Sequence, residues 1–448
     1  MAGHVWPTIS LTAVSDVSHG TLPGDSLMPS AIQTSLLWFY PFSYLAERSP
    51  ATGRPFTIRA TNTPPLVFFR DPQETGAVLA GPGSALHPGE GGAMISPIVG
   101  ENSFMLSDDK LHRTGRKAAL AALGARAIEG HAVMIAEVAR RKLTHWPSDV
   151  GSPTHGRLRA LTLEVILRTL TGNLEDELDP QVAVLHRQVL DMLTITASPI
   201  FVEPRLRHGP GKLIWNRFLR CRERVDELLT QLISDGRFTS SLGSSLGGCQ
   251  GDNEVDGVQL ARDNVMSLIL AGHETTAAQL AWAFQLLAHH PSVCDRLIRE
   301  IDADKKDDYL TATVQEVLRH RCVFVFAIPR VVAQPVEIGA WTYAPPANLL
   351  ACIYLLHHDP AIYRDPHAFR PERFLDAPPD PLTWVPWGGG RKRCPGLHLA
   401  MLEMKVVLRT VLRERTPRAS TRRMERPRWR SVIVAPHAGS QVVLASRR

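Results

Sequence analysis

Cys394 stands in the run Trp387-Gly-Gly-Gly-Arg-Lys-Arg-Cys394-Pro-Gly396, directly ahead of the apolar stretch LHLAMLEMKVVLRTVL. A lone cysteine between a glycine-rich loop and a helix start suits a thiolate ligand to a buried metal. The free N–H groups and the dipole of the helix N-terminus stabilise negative sulfur there. Glycines such as Gly390 and Gly396 let the backbone approach a flat, bulky group. A buried structural cysteine is the competing reading, because free cysteine is among the most buried residue types. The second set is Ala271-Gly272-His273-Glu274-Thr275-Thr276. Glycine and paired threonines inside a helix cost stability and loosen its hydrogen bonding. An acid beside an alcohol is suited to moving protons, with Glu274 the acid and Thr275 the alcohol. A tolerated kink with a solvated Glu274 competes, and His273 reads as a space-filler ahead of a substrate contact. The third set is Glu316 and Arg319, which at i,i+3 share one helix face. Alone, such a pair is a surface ion pair worth about 0–1 kcal/mol. It gains weight from the later run Phe369-Arg-Pro-Glu-Arg373-Phe374.

The elements that must position these groups are mostly helical. Apolar periodicity predicts helices around 124–143, 156–171, 181–196, 212–234 and 258–288, so the acid and alcohol sit inside the last of these. Breaks fall at 201–211 and at the Gly/Ser-rich 239–253. His112 and Arg116 lie on consecutive turns of one helix. Segment 56–70 reads as a hairpin around a Pro/Asn turn, segment 84–108 as loop, and 323–356 as short strands. Arg330 opens one of these strands. After Cys394 comes a helix with Met401, Met404, Leu408, Val411 and Leu412 on one stripe. The end, SVIVAPHAGSQVVLA, reads as a strand–turn–strand hairpin. The fold class is therefore mainly α with small β-sheets (α+β).

The Cys394 run resembles the haem-binding loop of the cytochrome P-450 family, F-x-x-G-x-R-x-C-x-G. Ala271–Thr276 resembles the family's A/G-G-x-D/E-T-T, Glu316–Arg319 its E-x-x-R, and 369–374 its P-E-R-F segment. The order and spacing of these motifs match over roughly residues 21–448. The resemblance implies one haem domain over 21–448 behind a loose tail at 1–20. It implies haem b as cofactor, with Cys394 as iron ligand and Glu274 and Thr275 relaying protons. His112, Arg116, Arg330 and Lys392 are implied at the haem propionates, beside Gly390 and Gly396. Glu316, Arg319 and Arg373 are implied as a structural network. Two departures stand out: Trp387 replaces the usual Phe, and Lys392 stands where Arg or His is usual. Haem iron held by a thiolate favours O–O cleavage, so the implied activity is monooxygenation of a moderately apolar small molecule, in natural-product biosynthesis. Oxidative C–C, C–N or C–O coupling, ring formation or desaturation is the alternative, and a non-catalytic haem sensor a remote one.

The 448 residues exceed the usual span of about 100–200 per domain, yet no linker divides them. The remaining length holds no flavin or iron–sulfur module. The resemblance then implies external electrons from NAD(P)H through a ferredoxin reductase and a ferredoxin. The ferredoxin would dock beside Cys394 through Arg113, Lys117, Arg391 or Arg393. Net charge is +6, partly concentrated in 413–430. No aromatic residues interleave a basic stripe, which argues against nucleic acid. Six cysteines without a C-x-x-C pair fit a reduced cytoplasm. The most apolar N-terminal stretch, IQTSLLWFYPFSYL, is too short to span a bilayer and contains Pro41. No membrane association is expected, and the resemblance is to soluble bacterial members.

Overall fold

A computed structural model describes residues 22–173, 177–201, 207, 209–238, 257–304 and 306–447. The tail at 1–20, the break at 239–253 and most of the break at 201–211 lie outside the described residues.

Twelve helices of eight residues or more carry the fold among the described residues. They are α1 (Ser30–Phe39), α2 (Pro41–Arg48), α3 (Pro72–Ala80), α4 (Lys110–Leu123), α5 (His131–Leu143) and α6 (His155–Thr171), followed by α7 (Pro180–Ile195), α8 (Lys212–Ser234), α9 (Gly257–His289), α10 (Pro291–Ala303), α11 (Asp308–His320) and α12 (Leu397–Glu414). Local chemistry sets several starts. Asp71, Asp109 and Asp179 cap α3, α4 and α7 by accepting from N–H groups of the first turn, which satisfies donors that have no helical partner. The predicted helix at 124–143 begins only at His131, because 124–130 is a turn that ends in Gly130 with φ of 87°. The segment 84–108 holds short helical turns and one brief strand rather than plain loop.

α9 is the central element. Its 33 residues are buried along nearly their whole length, as expected of a helix that is apolar all round. It packs against α6 over an extensive face, with α8 and α12 also against it. Its core partners include Leu161, Leu163, Val165, Leu167, Met404 and Leu408.

Twelve short strands form four sheets among the described residues. The hairpin of β1 (Phe56–Ile58) and β2 (Leu66–Phe69) is antiparallel as predicted, pairing Phe56 with Phe68. It continues through β8 (Asn348–Ala351) and β5 (Arg330–Val332) to β3 (Leu86–His87). β4 (Gly151–Pro153), β6 (Val336–Ile338) and β7 (Trp341–Tyr343) complete the strands before the C-terminal region. There, β9 (Arg415–Ala419), β10 (Pro427–Arg430), β11 (Ile433–Pro436) and β12 (Gln441–Ser446) follow α12. The expected terminal hairpin is corrected here. β11 pairs with β10, whereas β12 pairs with β4 and β9, so the turn at His437–Ser440 joins two different sheets.

Candidate active site

The Cys394 loop is closed by its own backbone. The Cys394 N–H donates to the Trp387 carbonyl at 2.9 Å. Between them a short 3-10 turn spans Gly390–Lys392, and α12 begins three residues after the cysteine. Gly390 holds φ of +61°, and a Cβ there would sit 2.1 Å from the Leu79 carbonyl oxygen at the end of α3. Only glycine meets both constraints. Burial raises the Cys394 thiol, while the Gly396 N–H, Arg116 and Arg393 act in the opposite direction. These are the groups that would stabilise sulfur as a thiolate.

Cations gather around this loop. Arg330 is 3% exposed; its guanidinium donates to the Ile328 carbonyl at 2.7 Å, and burial pushes it down to about 10. Arg391 donates to the Leu86 and Asp108 carbonyls at 3.1 and 3.4 Å. Arg116 reaches back from α4 to the Arg393 carbonyl at 2.5 Å. Lys392 donates to the Met105 and Ser107 carbonyls at 2.9 and 2.6 Å and lies 3.0 Å from His112 Nδ1. Burial pushes its amine down to about 8. His112, buried on α4, uses its other nitrogen against the Arg391 carbonyl at 3.2 Å. Among the described residues none of these cations has a carboxylate within ion-pair distance. Asp108 acts on Arg330 and Lys392 as a nearby carboxylate, but the cations outnumber it, and an excess of partly buried positive charge is costly, which suits the cluster to an anionic ligand. Arg391 is turned inward, which removes it from the exposed docking set; Arg113, Lys117 and Arg393 are exposed.

The acid and the alcohol are separated. Thr275 Oγ1 donates to the Ala271 carbonyl one turn back at 2.6 Å, the local loosening expected of a helical threonine. Ala271 and Thr275 present accessible surface on a helix whose neighbouring turns are buried. Glu274 faces α6 and β10 instead. Its Oε2 accepts from Arg159 Nε at 2.8 Å, and its Oε1 accepts from Arg430 Nε in a very short contact. Although burial opposes ionisation, these arginines hold the carboxyl down to about 2. Glu274 is therefore a paired carboxylate, neither solvated nor hydrogen-bonded to Thr275. Sequence reasoning missed Arg159 and Arg430. Nothing local marks residues 115 and 156 positions away.

Glu316, Arg319 and Arg373 come together. Arg319 forks onto both Glu316 oxygens at 2.7 and 2.9 Å, with both side chains fully buried. Arg373 Nε adds a bond at 3.1 Å and the Arg370 N–H another at 2.9 Å. Arg319 also caps the His357 and Pro366 carbonyls.

No group of three or more His, Cys, Asp or Glu side chains among the described residues could hold a metal by itself. A single half-buried thiol at a helix start, among cations that outnumber the nearby carboxylate Asp108, fits a metal carried in a flat, dianionic macrocycle, which is haem. A haem-thiolate protein is the class this fold and cradle define. Residues 94–436 match the family model described as Cytochrome P-450. Cytochrome P-450 135B1 of Mycobacterium tuberculosis (strain ATCC 25618 / H37Rv) is 31% identical over 450 residues, covering 97% of this chain and 94% of that protein. Cytochrome P-450 138 of Mycobacterium bovis (strain ATCC BAA-935 / AF2122/97) is 31% identical over 403 residues, 88% of this chain and 90% of that one. The retinoic acid-bound cyanobacterial CYP120A1 superposes with a TM-score of 0.77 at 20% identity, covering 93% of this chain and 96% of that chain. CYP175A1 from Thermus thermophilus gives 0.75 at 22% identity, covering 94% and 98%. The chain belongs to the cytochrome P-450 family and is an oxidoreductase of the haem-dependent monooxygenase type. No helix among the described residues is long and apolar enough to cross a membrane.

Proposed function

We propose that this chain inserts one oxygen atom of O2 into a moderately apolar small molecule, using haem b held by Cys394. The observation that carries the reading is the Cys394 thiol, half-buried beside the Gly396 N–H and among cations that outnumber their nearby carboxylate, Asp108. Thiolate-held haem iron, when bound, supplies O–O cleavage. The protein's own residues do the rest. Cys394 supplies the thiolate. Arg330, Arg116, His112 and Lys392 neutralise the propionates, with Arg391 added to the set, while Gly390 and Gly396 let the loop lie close. Thr275 holds a proton on the accessible face of α9; Glu274, ionised while paired, would take up a proton from solvent on leaving Arg430, the more exposed of its two partners at 23% against 9% for Arg159, and would then pass it to Thr275. Glu316, Arg319 and Arg373 keep the loop's support rigid.

Electrons come from NAD(P)H through a ferredoxin reductase and a ferredoxin that docks at Arg113, Lys117 and Arg393, with the reaction placed in the bacterial cytoplasm. The substrate class is a natural-product intermediate. Met105, Leu106 and Leu270, partly buried against the core, would supply apolar lining for such a substrate. The test is reconstitution with haem and a ferredoxin pair, followed by a compound screen for the spin-state shift and by product mass. A gain of one oxygen supports hydroxylation; a loss of two hydrogens replaces it with coupling or desaturation. The Cys394→Ser variant should lose the thiolate-type carbon monoxide spectrum, and an unchanged spectrum would overturn the assignment.

A further inference from the structure

Glu274 has a third polar neighbour on its buried side. His273 is fully buried, and its ring lies between α9 and α6. Nδ1 is 3.1 Å from Thr162 Oγ1. Nε2 is buried with no hydrogen-bond partner and lies 3.5 Å from Glu274 Oε2. Thr162 is itself fully buried and sits one turn after Arg159 on α6. One face of α6 thus offers Arg159 to the carboxylate and Thr162 to the histidine. The other charged or titratable groups around this ring are Arg159 and His155 on α6, His186 on α7 and Arg430 on β10.

Desolvation holds the ring neutral, so it carries one proton and has two tautomers. With the proton on Nδ1, the lone pair of Nε2 would face an ionised carboxylate in a buried site, a repulsive arrangement. With the proton on Nε2, an N–H points at Oε2, and the Thr162 hydroxyl, which also lies 3.0 Å from the His273 carbonyl, turns from it to donate to Nδ1. Only the second tautomer uses every hydrogen in favour of the carboxylate that Arg159 and Arg430 hold. The separation closes to hydrogen-bond length with a movement of a few tenths of an ångström.

We propose that His273 is a positioning residue for Glu274: it is fixed by Thr162 as the Nε2–H tautomer and holds Oε2 in place when the carboxylate turns away from Arg430. This rests on the proton-delivery reading of Glu274. It predicts that loss of His273 leaves substrate binding intact and lowers the product formed per electron pair, by uncoupling to peroxide.

The first measurement does not need turnover. Histidine labelled with nitrogen-15 reports the tautomer, and His273→Phe assigns the signal by its disappearance. The expected pattern is Nε2–H in the parent protein, with a shift in Glu274→Gln; an Nδ1–H pattern, or a signal indifferent to Glu274→Gln, overturns the proposal. The second measurement compares coupling across pH in His273→Phe and His273→Gln. His273→Phe should lose coupling by about tenfold or more with its pH profile displaced, and His273→Gln, whose amide N–H reaches the same place, should restore most of it. Equal loss in both variants would mark a packing role only and would also overturn the proposal. If Glu274→Gln couples normally while the Nε2–H signal still responds to it, the delivery reading fails and the His273–Glu274 contact stands.

Discussion

At the residue scale the best-determined group is Glu316. It accepts from Arg319, Arg373 and the Arg370 N–H with no exposed surface. Arg319 in turn spends its remaining donors on the carbonyls of residues 357, 366 and 368 and lies 5.0 Å above the Tyr363 ring. Removing one member of a fully buried pair leaves an uncompensated charge, at a cost of about 3–5 kcal/mol. That is a large part of the roughly 5–15 kcal/mol total of a folded protein. Glu316→Gln keeps the shape and removes the charge, so it should lower the unfolding free energy from urea melts by that amount and leave little haem-loaded protein. An unfolding free energy within about 1 kcal/mol of the parent would mean the network is dispensable. The competing reading, an exposed pair of little worth, is decided by this burial, which i,i+3 spacing cannot supply.

At the element scale the Cys394 loop offers a paired comparison. Gly388 and Gly390 both have left-handed φ, at +63° and +61°. A Cβ at Gly388 meets nothing within 4 Å, whereas one at Gly390 meets the backbone of α3 at 2.1 Å. The left-handed conformation alone costs an ordinary residue about 1–2 kcal/mol. Gly388→Ala should therefore lose about that much in a thermal melt, and Gly390→Ala distinctly more, with loop displacement and poor haem retention. Equal losses would show that α3 does not press on the loop. The same element shows what the chain makes legible. Four of the five predicted helices appear within one residue at each end, because their apolar periodicity is local and Pro, Asp or Gly marks their starts. Motif spacing singled out Cys394, Glu316, Arg319 and Arg373, and in the fold the last three side chains meet. The terminal hairpin was misread because alternation shows that a segment is a strand but not which strand it joins. β9 and β10 went unread because their arginines mask the period. Glu274 was read as sitting beside Thr275, yet its direction is set by Arg159 and Arg430, which only the packing of α6 and β10 brings near. Lys392 has its amine on carbonyls of 104–107, a pairing that no local pattern signals.

At the scale of the whole molecule, buried titratable groups set how stability depends on pH. Eight histidines are held below their ordinary value, chiefly by burial: His112, His131, His155, His186, His273, His320, His357 and His358. Five lie well below the usual 6.5, His357 among them, with His155 near 4, His273 and His358 near 3 and His320 near 2. Below pH 6.5 the unfolded chain takes up protons on these rings and the folded chain does not, so stability falls with falling pH. Glu274, held at about 2, acts in the same direction between 4.5 and 2. Glu403 opposes both. It is 1% exposed on α12, its Oε1 has no partner, and burial raises it well above the usual carboxylate range. The folded chain keeps that proton while the unfolded chain releases it above pH 4.5, so this one group lowers stability as pH rises. Each group contributes up to about 1.4 kcal/mol per pH unit, so between 4.5 and 6.5 the histidines outweigh Glu403. Above 6.5 the histidines fall silent and Glu403 remains. The apo-protein should therefore be most stable near pH 6.5, with a steep acid limb and a shallower decline toward pH 8. Calorimetry across that range tests this, and Glu403→Gln should flatten the limb above 6.5 and steepen the limb between 4.5 and 6.5. A melting temperature still rising from pH 6.5 to 8 in the parent protein would show that Glu403 is not held protonated in the fold.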